Sequence, residues 1–343
     1  MRVGIIGAGG IGRTHAHAVL VGEGTTLAGL YDVDEARAAS VADDLGVHAF
    51  TSLDAFYEAV DAVVVASPNR THAAYACEAV DRGRHVLCEK PMAVSLEETA
   101  AMRDRAAGAA VVCCVGFNYR YLGVVREIRR QLDDGVLGRV LHVDLAFRRG
   151  SALTRKTFTW RDDAGERFTS GALGDLGVHL IDLLHHLFDA PVDTTGCQVG
   201  LRTKVAAKEG RRVRVDDHAF VSGRLAGGPH FTLTASKSAT PDDVGFRVRV
   251  TGSRGELLYR STDGPVLHVR TGVEWEPVKV LGASRLDDPP GEIPGWADSF
   301  VAQLHDWTAT VAGAERLGAL ADFDDGHRAQ QVLDELLRKG EVS

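Results

Sequence analysis

The glycine-rich turn at the N-terminus constrains the fold more than any other feature of the chain. The run Gly7-Ala8-Gly9-Gly10-Ile11-Gly12 follows a short apolar stretch, Arg2 to Ile6, and opens a helix-like stretch, Ile11 to Leu20. This is the G-x-G-x-x-G pattern in the setting it needs, a strand before it and a helix after it. The pattern predicts that dinucleotide phosphates bind at the helix N-terminus. The candidate cofactor-binding residues here are Gly7, Gly9, Gly10, Ile11 and Gly12.

An acidic residue stands where this interpretation requires one. Thr26 to Tyr31 is strand-like and leads into Asp32, which follows the last glycine by about 20 residues. A carboxylate there would hydrogen-bond the adenosine ribose hydroxyls and repel a 2′-phosphate, and Val33 supplies no arginine to receive one. The sequence therefore predicts NAD over NADP. The alternative is an ordinary aspartate between a strand and a turn.

The rhythm of the chain changes after about one third of its length. Up to residue 118, strand-like and helix-like stretches alternate, which predicts a doubly wound parallel sheet, an N-terminal Rossmann domain. Beyond it come long alternating runs without intervening helices, including Arg139 to Arg149, Val213 to Leu225 and His230 to Ser236. They predict a C-terminal α+β domain, residues 119–343, with a large, mostly antiparallel open sheet. The exposed face of that sheet is a candidate surface for assembly into an oligomer.

Polar residues follow the predicted parallel strands, at the edge where open α/β sheets bind ligands. One group is Ser67, Asn69 and His72, and a second is Glu89-Lys90-Pro91. Lys90 is the residue of interest, because the proline after it favours an extended conformation that would point the side chain into the crevice. A surface lysine is the competing interpretation.

The stretch Gly171 to Asp189 predicts a helix with an unusual polar stripe. Asp175, His179, Asp182 and His186 are spaced 4, 3 and 4 residues apart, so they share one face beside an apolar flank. A carboxylate four residues from an imidazole raises the imidazole pKa toward working pH, which suits a general acid or base, His179, oriented by Asp175. A solvated polar face on a surface helix is the alternative, and Asp182 with His186 is a candidate for a merely structural polar pair.

Composition excludes several other classes of protein. A net charge of −8 gives no general attraction to nucleic acid or to anionic membranes. Five cysteines without a Cys-x-x-Cys spacing, and an N-terminus without the pattern of a cleaved signal, predict a cytoplasmic protein. The longest apolar run, Ala109 to Phe117, is far too short to span a membrane. No metal site is predicted, because the acid and imidazole stripe lies on a single helix face.

Several motifs together resemble the Gfo/Idh/MocA family of oxidoreductases, which includes inositol and sugar dehydrogenases, over nearly the whole chain. They are Gly7-x-Gly9-x-x-Gly12, Pro68-Asn69-x-x-His72, Glu89-Lys90-Pro91, Asn118-Tyr119-Arg120-Tyr121, Asp175-x-Gly177-x-His179-x-x-Asp182 and Asp325-Gly326-x-x-Ala329. The resemblance implies a Rossmann domain, a C-terminal domain with an open sheet used for homodimers or homotetramers, and hydride transfer between nicotinamide and a carbinol carbon of a sugar or cyclitol.

The resemblance also assigns roles by position. It implies a catalytic set of Lys90, Asp175 and His179, which would also contact substrate. It implies cofactor contacts by Ser67, Asn69, His72, Glu89 and Lys90, and substrate contacts by Asn118, Tyr119, Trp160 and Arg161. The chain departs from the family where three glycines often precede the aspartate, since Ser170-Gly171-Ala172-Leu173-Gly174 stands here. That departure leaves substrate identity open.

Three functions fit these residues. The first is an NAD-dependent dehydrogenase acting on CH-OH groups of a sugar, sugar derivative or cyclitol. The second is a glycoside-cleaving enzyme of the same fold that retains its NAD, and the third is a non-catalytic regulator that senses a sugar or dinucleotide. The presence of both Lys90 and His179 disfavours the regulator. Release of NADH with a polyol separates the first function from the second.

Overall fold

A computed structural model describes residues 1–163, 171–280, 285–315 and 319–340. The chain forms two compact units. Unit 1 comprises Met1–Tyr121, Arg285–Asp287 and Trp296–Gln330, and unit 2 comprises Leu122–Ser284, Asp288–Gly295 and Gln331–Ser343.

Unit 1 is built on a parallel sheet of six strands. The strands are β1 Arg2–Ile6, β2 Thr26–Tyr31, β3 Ala49–Phe50, β4 Ala62–Val65, β5 His85–Cys88 and β6 Cys113–Val115. Their order in the sheet is β3-β2-β1-β4-β5-β6. The order reverses at β1, as in a doubly wound sheet. The predicted parallel Rossmann sheet is therefore confirmed.

Local capping explains where the helices of this sheet begin. The helices are α1 Gly10–Val21, α2 Glu35–Leu45, α3 Leu53–Ala59, α4 His72–Asp81 and α5 Leu96–Ala107. Asp34 accepts a hydrogen bond from the backbone N–H of Arg37 at 3.1 Å, and Ser95 accepts one from Glu98 at 3.2 Å. The sequence does not predict β3 or α3, because two and seven residues are too few to show a period.

The helix Trp296–Val311 also belongs to unit 1. Its apolar residues Phe300, Leu304 and Trp307 are buried in one core cluster with Val3 and Leu30 of the parallel sheet. The predicted boundary between residues 118 and 119 lies close to the end of the first segment of unit 1, at Tyr121. The helix packs against α1 and the turn Asn118–Tyr121, so its contacts place it in unit 1 although it lies beyond this boundary in the sequence.

Unit 2 is built on an eight-stranded sheet. The strands are β7 Val140–Arg148, β8 Val192–Arg202, β11 His218–Leu225, β12 His230–Ser236, β13 Gly245–Gly252, β14 Glu256–Arg260, β15 Val266–Arg270 and β16 Glu276–Lys279, and a separate hairpin pairs β9 Ala207–Lys208 with β10 Arg211–Arg212. Their order in the sheet is β16-β15-β14-β13-β7-β12-β11-β8. Only the pair β7 and β12 is parallel among the pairings of this sheet that the described residues show, so the predicted mostly antiparallel sheet is confirmed.

The prediction of one strand from Val213 to Leu225 is wrong at its start. The carboxylate of Asp217 accepts hydrogen bonds from the backbone N–H groups of Lys204 and Val205, at 2.9 and 2.7 Å. These bonds fold residues 213–217 into a loop, and β11 begins only at His218.

The helices of unit 2 include the polar stretch singled out in the sequence. A π-helical turn, Leu173–Gly177, continues into an α-helix, Val178–Phe188, and the two together are called the site helix. The sequence also predicts polar loops at Ser151 to Ser170 and at Gly282 to Gly295, of which residues 164–170 and 282–284 lie outside the described residues. In chain order, the helices that follow β6 are α6 Gly123–Asp133, α7 Ser151–Thr154, α8 Val178–Phe188, α9 Trp296–Val311 and α10 Phe323–Gly340. Helix α9 belongs to unit 1, and α10 belongs to unit 1 up to Gln330 and to unit 2 beyond it.

Candidate active site

The glycine-rich turn of unit 1 has the geometry that a dinucleotide needs. Gly7 has φ +104°, and a Cβ there would lie 2.5 Å from the carbonyl oxygen of Ala66. A Cβ on Gly12 would lie 1.8 Å from the oxygen of Gly7, so only glycine allows α1 to approach β1 so closely. Around Gly9 and Gly10 no atom lies within 4 Å of such a Cβ. The turn thus leaves an open approach to the N-terminus of α1, which fits a pyrophosphate.

Asp32 lies at the end of β2 and is buried. Its carboxylate accepts hydrogen bonds from the backbone N–H groups of Ala8 and Asp34, at 2.8 and 2.9 Å. Arg37, in the first turn of α2, donates to both carboxylate oxygens. Burial would raise the pKa of Asp32, but the hydrogen bonds from Arg37, Asp34 and Ala8 outweigh it and lower the pKa. The group is therefore a well-fixed anion at neutral pH.

His72 joins the loops that follow β4 and β5. Its Nε2 lies 2.8 Å from the carbonyl oxygen of Ser67, and its Nδ1 lies 2.9 Å from that of Pro91. Burial lowers the pKa of the His72 ring. The two carbonyl oxygens favour the charged form, but their effect on the pKa is smaller than that of burial. The imidazole is thus positioned to hold two loops together. Ser67, on the same loop, lies with its Oγ 2.7 Å from that of Thr71, and Asn69 is half-buried in the turn between them.

Lys90 follows β5 and is half-buried, and its peptide bond to Pro91 is cis. Its backbone N–H donates to Glu89 Oε2 at 3.1 Å, and Glu89 Oε1 lies 2.8 Å from His15 Nε2. Both members of this Glu89–His15 pair are buried. Burial would raise the pKa of Glu89, but the hydrogen bond and charge of His15 lower it. The pair fixes the backbone from which the Lys90 side chain extends.

Asn118 and Tyr119, predicted at the substrate, are both buried in unit 1. The Asn118 amide donates to the hydroxyl of Ser299 at 2.8 Å, which ties the end of β6 to helix α9. This contact gives Asn118 a structural role within unit 1. A role at the substrate stays a prediction for both residues.

The site helix of unit 2 is held at its N-terminus by Asp216. Asp216 Oδ2 accepts from the backbone N–H of Leu173, and its carbonyl oxygen accepts from that of Ala172, both at 2.9 Å. A Cβ on Gly171 would lie 1.9 Å from Asp216 Oδ1, so the glycine is required for this approach. Burial raises the pKa of Asp216 to about 6, partly offset by the Leu173 hydrogen bond and the charge of Lys237.

Asp175 projects from the π-helical turn and forms an ion pair with Lys237, with 2.7 Å between Oδ2 and Nζ. Lys237 directly follows β12, and its side chain is 11% exposed. His179, one turn along the site helix, is buried, with its ring 6.4 Å from that of Phe147 between centroids. Asp182 is buried as well. The interpretation of the stripe as a solvated face is therefore wrong for His179 and Asp182.

Trp160 and Arg161 lie in a short turn, Trp160–Asp162, of unit 2. The guanidinium carbon of Arg161 lies 4.2 Å from the centre of the Trp160 ring, and the arginine is exposed. Arg161, Asp175 and Lys237 line one cavity of about 220 Å³ within unit 2. The structure therefore brings together two of the predicted substrate residues.

The sequence does not predict several residues around the two features described above, the glycine turn with Asp32 in unit 1 and the site helix in unit 2. None of Arg37, Lys237 and Asp216 belongs to a recognised motif. Lys237 and Asp216 lie far in sequence from the residues that they contact, Asp175 and Leu173. Arg37 alone has a local signal, since it lies five residues after Asp32 at the start of a capped helix.

Within the described ranges, no three His, Cys, Asp or Glu side chains form a group that could hold a metal ion. Over the same residues, no helix is long and apolar enough to cross a bilayer. The five cysteines are free thiols.

Two family models cover the chain. Residues 1–117 match the Gfo/Idh/MocA oxidoreductase family, NAD-binding Rossmann fold, and residues 129–341 match the C-terminal alpha/beta domain of that family. The glucose-6-phosphate 3-dehydrogenase of Bacillus subtilis is 39% identical, over 98% of this chain and 96% of that protein.

Further relatives agree with these models. The inositol 2-dehydrogenase 3 of Saccharopolyspora erythraea is 34% identical over 100% of this chain and 94% of that protein. A crystal structure of an oxidoreductase domain protein from Kribbella flavida, 26% identical, superposes with a TM-score of 0.85 over 99% of this chain and 96% of that one.

Proposed function

Because the chain belongs to the Gfo/Idh/MocA family of oxidoreductases and carries its NAD-binding Rossmann domain, we propose that it is a dehydrogenase that oxidises a secondary alcohol of a sugar, sugar derivative or cyclitol. The observation that carries the proposal is the pairing, in one chain, of a glycine turn built for a dinucleotide with the acid and imidazole of the site helix. A hydride carrier and a proton acceptor are the two parts that oxidation of an alcohol needs.

The relatives' names support a ring hydroxyl of a hexose or cyclitol as the reacting group. The glucose-6-phosphate 3-dehydrogenase of Bacillus subtilis spans nearly the whole chain at 39% identity, and an inositol 2-dehydrogenase does so at 34%. Glucose 6-phosphate is therefore the first substrate to test, followed by glucose and myo-inositol.

Lys90, Asp175 and His179 form the proposed catalytic set. Bound NAD would supply the nicotinamide that accepts the hydride from the carbinol carbon. His179 takes the hydroxyl proton, and burial of its ring keeps water from competing for it. Asp175, held by Lys237, orients the imidazole and substrate. Lys90 stabilises the developing oxyanion with its ammonium group, or relays the proton.

In the proposed binding mode of the cofactor, Gly9, Gly10 and Ile11 bind the pyrophosphate and Asp32 binds the adenosine ribose. Gly9 and Gly10 present an open backbone, and Ile11 is 38% exposed beside them. Ser67, Asn69, His72 and Glu89 support the same binding surface. For His72 and Glu89 this support is indirect, through the backbone of the loops that they hold.

The test is a panel of sugars and cyclitols incubated with purified protein and NAD, with absorbance of NADH as the readout. Multiple turnovers of NADH with glucose 6-phosphate, glucose or myo-inositol support the proposal. Release of an aglycone from a glycoside without net NADH would instead identify a glycoside-cleaving enzyme. Binding of NAD and sugar without either product would identify a sensor.

Assembly through the open sheet of unit 2 belongs to the same proposal. Phe220, on strand β11, is 44% exposed, which suits a surface covered in a homodimer or homotetramer. Light scattering after size exclusion measures the mass directly. A monomer of 36.7 kDa would contradict this part of the proposal.

A further inference from the structure

The cavity of unit 2 places several cationic side chains around the carboxylate of Asp162. Lys208 Nζ and Arg155 Nη2 both bind Asp162 Oδ1, at 2.9 and 2.7 Å. Arg161 directly precedes Asp162 and lines the same cavity. Two cationic side chains thus share one carboxylate oxygen, and a third, Arg161, lines the cavity beside them.

The other acidic residues of the cavity have partners of their own. The lining as a whole contains four basic and four acidic residues. Asp175 is paired with Lys237, and the carboxylates of Asp216 and Asp217 accept hydrogen bonds from backbone N–H groups. Among the described residues of the lining, Asp162 is the carboxylate that pairs with Arg155 and Lys208.

Two of the cationic side chains also have donors to spare. The Lys208 side chain is only 3% exposed, and an ammonium group has three N–H donors. Within the described part of the chain, Asp162 is the one acceptor at hydrogen-bond distance from it. Arg155 Nε is buried, and the described residues offer it no hydrogen-bond partner. Buried donors without acceptors destabilise a fold, so an anion that accepts from them offsets a cost already present.

The size of the cavity indicates that it holds only one part of a ligand. Its volume of about 220 Å³ is below the roughly 300 Å³ at which whole small-molecule pockets begin. It has room for a terminal phosphoryl group and the carbon that bears it. A nucleoside diphosphate is much larger than this volume.

We propose that this cavity is an anion subsite, in which Arg155, Arg161 and Lys208 bind the phosphoryl dianion of a sugar monophosphate while Asp175, on the same wall, faces its hydroxyls. The inference rests on the proposed function, and it names the substrate class as phosphorylated sugars. A phosphoryl dianion offers acceptors to the Lys208 and Arg155 donors that Asp162 leaves unused, and arginine binds phosphoryl oxygens through paired N–H groups.

Arg161→Met is the variant of choice, because no described carboxylate depends on Arg161 as its ion-pair partner and none is orphaned. Arg161→Lys retains the charge, and Arg224→Met removes an arginine of unit 2 that does not line the cavity. With NAD present, kcat/KM is measured for glucose 6-phosphate and for glucose. Loss of one charged hydrogen bond predicts a decrease of roughly 10- to 100-fold for glucose 6-phosphate in Arg161→Met.

The same variant is expected to lower kcat/KM for glucose 6-phosphate at least about tenfold more than kcat/KM for glucose, because glucose has no phosphoryl group to lose. Arg161→Lys restores part of the difference, and Arg224→Met changes kcat/KM for neither substrate. Equal losses for glucose and glucose 6-phosphate, or a wild type that prefers glucose, would overturn the proposal while leaving the dehydrogenase intact.

Calorimetric binding of glucose 6-phosphate decides the subsite without catalysis. If no sugar yields NADH, the proposed function fails, but binding by wild type and weaker binding by Arg161→Met still support the subsite. No binding by wild type overturns it. Tighter binding of a UDP-sugar than of glucose 6-phosphate also overturns it, because the phosphoryl source would then be a diphosphate and not a monoester.

Discussion

Arg37 donates to both carboxylate oxygens of Asp32, at 2.8 Å from Nη2 to Oδ1 and 3.2 Å from Nε to Oδ2. Asp32, the residue proposed to select NAD, therefore has the guanidinium of Arg37 beside it. The Arg37 side chain is 48% exposed. The carboxylate restrains this guanidinium, which has the geometry to bind phosphate. Preference for NAD thus depends on which of the two charges faces the ribose.

Asp32→Ser is expected to convert the preference toward NADP. Without the carboxylate, the ribose loses its acceptor, so kcat/KM with NAD falls roughly 10- to 100-fold. Arg37 is then free to bind a 2′-phosphate, so kcat/KM with NADP rises. Steady-state rates with both cofactors measure the ratio. The double variant Asp32→Ser/Arg37→Met should lose the gain with NADP, and a retained gain would exclude Arg37 as the phosphate ligand.

Lys90→Met is expected to abolish most turnover while NAD still binds. The variant removes the ammonium group from the reacting oxygen but keeps the backbone, which Glu89 and His15 fix. We expect kcat to fall by roughly two to four orders of magnitude, and the Kd for NAD to change by only about a few-fold. Single-turnover rates and titration of protein fluorescence with NAD give the two values. Near-normal turnover would contradict the role of Lys90.

His179→Ala is expected to remove both most of the rate and the pH dependence of the chemical step. If His179 accepts the proton, the wild-type rate rises with pH through the pKa of the imidazole and then levels. In the variant, water or hydroxide replaces the base and that titration disappears. A wild-type pH profile at reduced rate would show that another group is the base.

Lys237→Met tests whether the partner of Asp175 acts in catalysis. The variant leaves Asp175 Oδ2 without its ammonium partner at 2.7 Å, so the carboxylate loses its fixed position on the site helix. We expect kcat to fall roughly 10- to 100-fold, with partial rescue in Lys237→Arg. The matched control is Lys279→Met, in strand β16 outside the cavity. An unchanged kcat and unchanged pH profile in Lys237→Met would assign the pair to stability alone.

The sequence predicts the parts of this molecule that depend on local rules. The glycine turn, the strand before it and the helix after it follow from the pattern of Gly7, Gly9 and Gly12, and the contacts that a Cβ would make at each position agree with the role of each glycine. The long strands of unit 2 follow from their alternation of apolar and polar residues. The stripe on the site helix follows from its spacing.

Other features depend on contacts between residues distant in sequence, which no local rule encodes. Lys237 meets Asp175 only because β12 ends beside the site helix, and Lys208 meets Asp162 because a two-stranded hairpin brings it there. The packing of helix Trp296–Val311 in unit 1 likewise depends on the shape of its apolar side. The loop at residues 213–217 has the local pattern of a strand, because valines alternate with polar residues there.

Asp216→Asn is expected to remove a dependence of stability on pH. The pKa of Asp216 is raised by burial from 3.8 to about 6, so the folded protein binds more protons than the unfolded one between about pH 4 and 6. Its contribution to stability is therefore complete below about pH 4, is lost as pH rises through about 6, and amounts to roughly 3 kcal/mol. Asparagine retains an oxygen that can accept the Leu173 N–H, and it carries no charge to bury.

The free energy of unfolding of Asp216→Asn, measured by urea titration, should therefore increase relative to wild type by roughly 3 kcal/mol between pH 4 and 7. Asp242→Asn, in the exposed turn Pro241–Asp243, removes the same charge without contact to Leu173 and provides the control. A constant difference between Asp216→Asn and wild type across this range would show that Asp216 is ionised at the same pH in the folded and unfolded chains. The N-terminus of the site helix would then be held by a permanent anion, and the activity of the enzyme would carry no titration from this residue.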